Sequence, residues 1–433
     1  MERLFRLAEH GTTVRRELLA GVTTFATMAY IVVVNPVILA NAGIPREASL
    51  TATALAAAIG TLLMAFHANR PFAIAPYMGE NAFIAFTVVQ RMGVAWPVAL
   101  GAVFLAGVLF TLLTLSGVRT WLAGALPRSL KHAFAAGIGL FLVFLGLAGA
   151  GLVVPGMPGA PVRLGDLGAR PAQLAVGGFV LTAWLLVRRV PGALILGIAA
   201  TAAASFLLGV TPPPAGLVSA PASLAPILFQ LDIPGALTVQ ALPVVVIVFV
   251  MAFVDTLGTL LGLSARAGWL DERGDLPRIE QPMLADAVAN LVAPVLGTTT
   301  CGAFVESATG IEAGGRTGLV GVVVALLFLA TLVLGPVLTA IPPHACAVAL
   351  VAIGLPMLEP VRHVEFGDLT EAIPALLTVA LIALTFNIGV GMTAGLLAYP
   401  VLKVGAGRAR EVAPAMWALA ALSLLFFVVH PRG

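Results

Sequence analysis

Charge is scarce in this chain. Asp, Glu, Lys and Arg make up 10% of its 433 residues, where soluble domains carry roughly 25%. The longest charged stretch is the loop Ser264–Glu280, which leaves no room for a large soluble domain. Cysteine is nearly absent, and Cys301 and Cys346 build neither a disulfide framework nor a metal site. Six scattered histidines include no His-Glu-x-x-His pair, so no metal or cofactor is expected. The net charge of +3 comes from cations standing singly between apolar runs, which excludes nucleic acid as a partner. No Ala-x-Ala site follows a short apolar core, so residues 1–17 are not a cleavable signal. Charged in both signs, they read as an amphipathic cytoplasmic helix. What the chain has instead is apolar bulk, 60% of its residues. It reads as an all-α polytopic membrane protein, with the lipid bilayer as its solvent.

A spanning helix needs about 20 apolar residues, fewer where the segment is broken. Candidate segments are 18–40, 48–67, 72–90, 95–116, 131–151, 172–188, 192–210, 240–263, 283–296, 298–312, 317–340, 343–357, 371–387 and 388–405, fourteen in all. A further apolar stretch, 413–430, either spans or lies at the surface. With the N-terminus in the cytoplasm and the fourteen alternating, eighteen Lys and Arg fall in inside loops and four (Arg46, Arg91, Arg163, Arg170) in outside loops, with Arg432 unassigned. That asymmetry follows the positive-inside rule and predicts a multi-pass protein of the cell (inner) membrane.

A weak internal repeat is visible. GALPRSLKHAFAAGIGL (124–140) resembles TAIPPHACAVALVAIGL (339–355), and YMGENA (77–82) lies on FVESA (304–308) after a one-residue gap, matching Glu80 with Glu306. Chance similarity between Ala/Gly/Leu-rich segments is the alternative. Seven segments per half is odd, so the halves, 18–210 and 240–405, would be inverted, joined by loop 211–239 and followed by a C-terminal segment, 406–433. Inverted repeats are a transporter signature, with the site near the midplane where the repeats meet.

Three acids stand within membrane depth. Asp255 lies in LPVVVIVFVMAFVDTLGTLLGL, Glu306 in GTTTCGAFVESATGI and Glu80 in FAIAPYMGENAFIAFTVV. Carboxylates there are costly and usually face a cavity that serves transport or a proton relay. Each also has a structural alternative: Asp255 bonded to Thr256 or Thr259, Glu306 and Glu80 as first-turn acids of half-helices. Pro71, Pro76 and Gly79 break a helix before Asn81, and the Thr/Gly-rich run before Glu306 favours extended backbone. Extended backbone within a membrane must be buried in protein or line a cavity, so the two half-segments are expected to pair. A planar nucleobase offers ring N–H donors beside carbonyl acceptors; carboxylates accept from the first, and backbone N–H or the Asn81 amide donates to the second. Candidate substrate-binding residues are Glu306, Asp255, Asn81, Glu80, Tyr77, Met78, Phe304 and Thr300. Asp255, Glu306 and Glu80 are the candidate proton carriers. Asp286 suits a structural role, His132 and His344 are interfacial, and AGGRTG (313–318) lacks the Gly-Lys-Ser/Thr ending of a phosphate loop.

APYMGENAFIAFTVV, FVDTLGTLLG and QPMLADAV…GTTTCGAFVESATGIEAGGRTGL together resemble the nucleobase:cation symporter-2 family, in its adenine/guanine/hypoxanthine permease branch. The resemblance implies fourteen spans in two inverted repeats of seven, with segments 1–4 and 8–11 a core domain and 5–7 and 12–14 a gate domain. It implies short strands in segments 3 and 10 and a base held between segments 3, 8 and 10. Asp255, Glu306 and Asn81 fall on the family's site positions. The implied activity is proton-coupled import of a purine by an elevator-like mechanism, with a homodimer possible. Tyr77 and Glu80 depart from the branch, which more commonly has a small and an apolar residue there, and leave uracil, xanthine or a modified base open. An anion carrier of similar fold would want basic residues at the centre. An intramembrane enzyme would want clustered catalytic groups, and a scaffold would need no buried acids.

Overall fold

The computed structural model describes residues 2–116, 126–157, 160–270, 276–385 and 387–429. Arg119, Arg273 and Arg432 of the charge asymmetry, and the first two residues of the repeat stretch 124–140, lie outside them.

The first candidate segment is two helices, α1 (Val14–Met28) and α2 (Ile31–Ala40), broken at Ala29–Tyr30. Residues 1–17 are not one helix. A four-residue helix, Glu2–Phe5, ends at Arg6 with φ 52°, Gly11 turns at φ 63°, and Thr13 caps α1 through its side chain. A local cap and left-handed backbone beat the weak amphipathic pattern. The second segment is α3 (Arg46–Leu63), wound on as a π-helix over Met64–Ala68. The third is strand β1 (Ile74–Pro76), helix α4 (Met78–Ala82) and a π-helical stretch, Phe83–Arg91. Then come α5 (Trp96–Ser116), α6 (Arg128–Gly149), α7 (Arg170–Val187) and α8 (Ala193–Leu207).

The second half holds α9 (Leu242–Ala267), α10 (Glu280–Leu296), strand β4 (Cys301–Ala303) and α11 (Ser307–Glu312). These are followed by α12 (Leu319–Thr331), α13 (Pro343–Leu358), α14 (Leu369–Thr385) and α15 (Ile388–Gly405). Among the described residues nine helices are long and apolar enough to cross a membrane. Stretch 413–430 forms α16 (Pro414–Val429), packed on α15 and α9. The purely helical expectation missed a hairpin between α6 and α7: β2 (Val153–Met157) against β3 (Ala160–Leu164). Its β-branched residues stand on either side of a Pro/Gly-rich stretch of sequence, a local signal that hydropathy blocks do not register.

One apolar core runs through both halves, from Tyr30 and Phe72 to Phe253 and Phe328. On α7, by contrast, Val176, Phe179, Val180, Trp184 and Val187 face outward. That is the expected surface of a helix whose solvent is hydrocarbon.

The glycine-rich loop 313–318 is held by an internal acid. Buried Glu17 accepts from the Arg316 and Thr317 main-chain N–H groups at 2.8 and 3.2 Å and from the Thr317 hydroxyl at 2.6 Å. The Arg316 guanidinium donates to the carbonyls of Ile311 and Gly315 at the end of α11. The loop's N–H groups thus serve a carboxylate of the chain itself.

Candidate functional site

The two short strands pair antiparallel, with Ile74 opposite Ala303, Ala75 opposite Gly302 and Pro76 opposite Cys301. Flanking bonds extend the ladder: Tyr77 N–H donates to Thr300 O at 3.0 Å and Phe304 N–H to Ala73 O at 2.9 Å. Antiparallel ladders alternate bonded and non-bonded pairs. Pro76 therefore sits at a non-bonded position, where its missing N–H costs nothing.

A two-stranded sheet has two open edges, and inside a bilayer each unpaired group is expensive. Thr61 of α3 closes the first edge, accepting from Ile74 N–H at 2.9 Å and donating to Ile74 O at 3.0 Å. Asn290 of α10 closes the second, accepting from Cys301 N–H at 3.0 Å and donating to Cys301 O at 2.7 Å. Ser307 Oγ takes the Ala73 N–H at 3.0 Å. Extended backbone is thereby satisfied at the centre of an apolar molecule.

Beyond the strands the chain turns helical, and the candidate side chains emerge there. The rings of Tyr77 and Phe304 lie parallel, at 7° and 6.2 Å between centroids. Tyr77 lies across Gly302, where any β-carbon would collide with its ring. Its hydroxyl approaches Thr256 Oγ1 at 3.4 Å, and Thr256 donates to Asp286. Asp286 is fully buried; its second oxygen meets no donor in good geometry among the described residues, and the Ala303 main-chain N–H approaches the carboxyl. It joins α10 to α9 and also faces the site from behind Tyr77.

The acids divide. Glu306 is half-buried at the start of α11 and accepts a hydrogen bond from the Tyr30 hydroxyl at 2.7 Å. The break between α1 and α2 puts Tyr30 there. Asp255, half-buried at mid-length of α9, faces Glu80 at hydrogen-bond reach. Glu80 is fully buried. Asn81 is committed to protein: its amide nitrogen donates to Asn35, and its oxygen accepts from Thr299. Asn35 bonds Thr53 at 2.7 Å and Thr298 at 3.1 Å, so Asn81 knits α2, α3 and the approach to β4. Thr300 keeps a buried hydroxyl without a partner, and Met78 is buried at the first turn of α4.

Sequence reasoning missed Tyr30, Asn35, Thr61 and Asn290, and it offered Thr256 as a partner of Asp255 where the structure has it donate to Asp286. Asn35 carried a signal, a lone amide in the apolar run IVVVNPVILA. Tyr30 and Thr61 carried none, because hydroxyls on apolar helices are commonplace.

A family model described as "Permease family" matches residues 15–395. The chain belongs to this permease family. The match bears out the family and branch that the three motifs pointed to, and the protein is a transporter, not an enzyme. The permease is 47% identical over 428 residues to a putative permease of Methanocaldococcus jannaschii, covering 99% of this chain and 98% of that one. It is 39% identical to the adenine permease AdeP of Escherichia coli, over 99% and 96% of the two chains. To the guanine/hypoxanthine permease PbuG of Bacillus subtilis it is 38% identical, over 99% of each. The fold is similar to the transmembrane domain of the cyanobacterial bicarbonate transporter BicA, with a TM-score of 0.61 at 18% identity, covering 88% of this chain and 97% of that one.

Proposed function

We propose that this permease carries a nucleobase, a purine in the first place, into the cell together with protons. The observation that carries the reading is the stacked Tyr77–Phe304 pair flanked by the acids Asp255 and Glu306, in a chain related over its whole length to adenine and guanine/hypoxanthine permeases. A planar base stacks on aromatic faces, and carboxylates accept from its ring N–H groups. Atoms in van der Waals contact lie about 3.5 Å apart. A base between the two rings would need them about 7 Å apart, so it enters by a small opening of the pair or stacks on one ring. Asn81, occupied by Asn35 and Thr299, acts by holding the junction and not by touching the base.

The proposed architecture is fourteen spans in two inverted repeats. Contacts between matched residues support it. Tyr77 stacks on its counterpart Phe304, β1 pairs with β4, and Thr61 and Asn290 close equivalent edges. Within the matched stretches of α6 and α13, Gly139 and Gly354 meet each other's backbone. Loops that the alternation puts on one side also touch. Arg266 pairs with Glu312 and Arg70 stacks on Trp269 on the cytoplasmic side; on the other, Arg46 bonds Ile341 O and Arg91 bonds Thr385 O. Such repeats suit alternating access by one bundle moving against the other.

The test is uptake of radiolabelled purines and pyrimidines into proteoliposomes, with and without a proton gradient. A purine accumulated above equilibrium only with the gradient is expected. Accumulation driven by sodium alone would end the proton assignment, and uptake of uracil in preference to every purine would end the purine one.

A further inference from the structure

Glu80 is where this permease departs from what its branch led us to expect, and its surroundings are unusual. It is fully buried, and neither carboxylate oxygen meets a donor in good geometry among the described residues. Its own main-chain N–H approaches, and the side chain within hydrogen-bond reach is another acid, Asp255. The other titratable groups facing Glu80 are Asp286 of α10, Tyr77 on its own segment and Cys301 of β4. Among the described residues, no Lys, Arg or His is an electrostatic neighbour of Glu80. Glu306 is held by Tyr30.

Two carboxylates in contact, with no cation beside them, cannot both be ionised. Two acceptors also cannot hydrogen-bond without a proton between them. With one proton they make a short, charge-assisted O–H···O⁻ bond, strong in a dry interior. Glu80 is sealed, whereas Asp255 is half-buried, so of the two it is Asp255 that a proton from outside the pair can reach.

We propose that Glu80 and Asp255 are one acid pair holding a single proton between them, and that this pair, not either residue alone, is the proton site of the permease. The second half of that statement rests on the transport reading above; the shared proton does not. Asp255 and Glu80 stand on different elements, α9 and α4. In the proposed architecture both elements belong to the bundle of segments 1–4 and 8–11, so the proton leaves by a local movement of the two side chains apart and not by the motion of one bundle against the other. Such coupled groups titrate as a pair.

Infrared difference spectroscopy on the base-free, reconstituted protein tests the pair directly. A protonated-carboxyl band is expected at neutral pH in the wild type and lost in both Glu80→Gln and Asp255→Asn. A band unchanged in either single variant would overturn the pair, as would a band displaced by sodium at constant pH. Counting protons per base gives the transport half: one per base in the wild type, and no gradient-driven accumulation in Glu80→Gln while unlabelled base still drives exchange. Gradient-driven accumulation surviving in Glu80→Gln would move the proton site elsewhere. Wild type that moves no base but keeps the infrared band would defeat the transport reading and leave the pair standing.

Discussion

Glu306 and Glu80 each follow a three-residue strand by a few residues, and their local sequences align, yet they live in different electrostatic surroundings. Glu306 is half-buried and has a phenol donor, Tyr30, at 2.7 Å. Glu80 is sealed and looks at another acid. Glu306 thus has a donor supplied by the protein, while neither oxygen of Glu80 meets one in good geometry among the described residues. Similar local chemistry was put to two uses by what α1–α2 and α9 bring against it.

The strand edges give the same comparison in structural form, and breaking them should have the largest effect. Asn290→Leu strips partners from both main-chain groups of Cys301, and Thr61→Val does so for Ile74. Each orphaned buried group costs about 1–3 kcal/mol. Both variants should melt well below wild type in detergent. Equal melting would mean that water, not the side chain, satisfies the edge.

Next in size is Glu306→Gln. Losing a charge-assisted buried hydrogen bond costs roughly 1.5–3 kcal/mol, or about one to two decades in affinity. Titration calorimetry on the purified variant should show weaker base binding in a protein that still melts cooperatively. Near-wild-type affinity would remove Glu306 from the site.

Gly302→Ala should come third. The added methyl runs into the Tyr77 ring, and overpacking costs about 1–3 kcal/mol. Uptake should drop about tenfold with the protein folded; unchanged uptake would show that the stacked pair does not meet the base.

The smallest effect concerns the ion cluster just beyond α15, where Arg408 reaches Asp368 at 2.6 Å and Glu411 at 2.7 Å. Arg408 holds the Asp368 carboxyl well below the usual carboxylate range, and with Lys403 it pushes Glu411 down to about 2. Lowered values mean a stabilising contribution present above the unfolded carboxylate range, near pH 4, and lost as pH falls towards 2. Arg408→Gln should flatten that acid-side limb by lowering the melting temperature modestly at neutral pH, with variant and wild type converging as pH falls towards 2. A limb of unchanged slope would assign it to other acids.

Much of the site was legible in the sequence. Asp255, Glu306 and Glu80 stood out because a carboxylate in an apolar run is costly, and Pro71, Pro76 and Gly79 announced the broken helix. The partners Tyr30, Thr61 and Asn290 were not legible, since hydroxyls and amides on apolar helices satisfy themselves locally as often as not. The β2–β3 hairpin and the broken 1–17 region were missed because capping and turn geometry operate below the scale of hydropathy windows. Asn81 was seen, but its engagement by Asn35 and Thr299 was not.

The sequence by itself determined the membrane class, the apolar segments and the depth of the acids, because those follow from the transfer cost of each residue and from chain length. Tertiary structure decided which acid keeps a donor, which faces another acid, and how six residues of strand survive in a helical interior. Those outcomes depend on contacts between residues more than 170 positions apart, such as Tyr77 with Thr256 and Tyr30 with Glu306, and no local pattern encodes them.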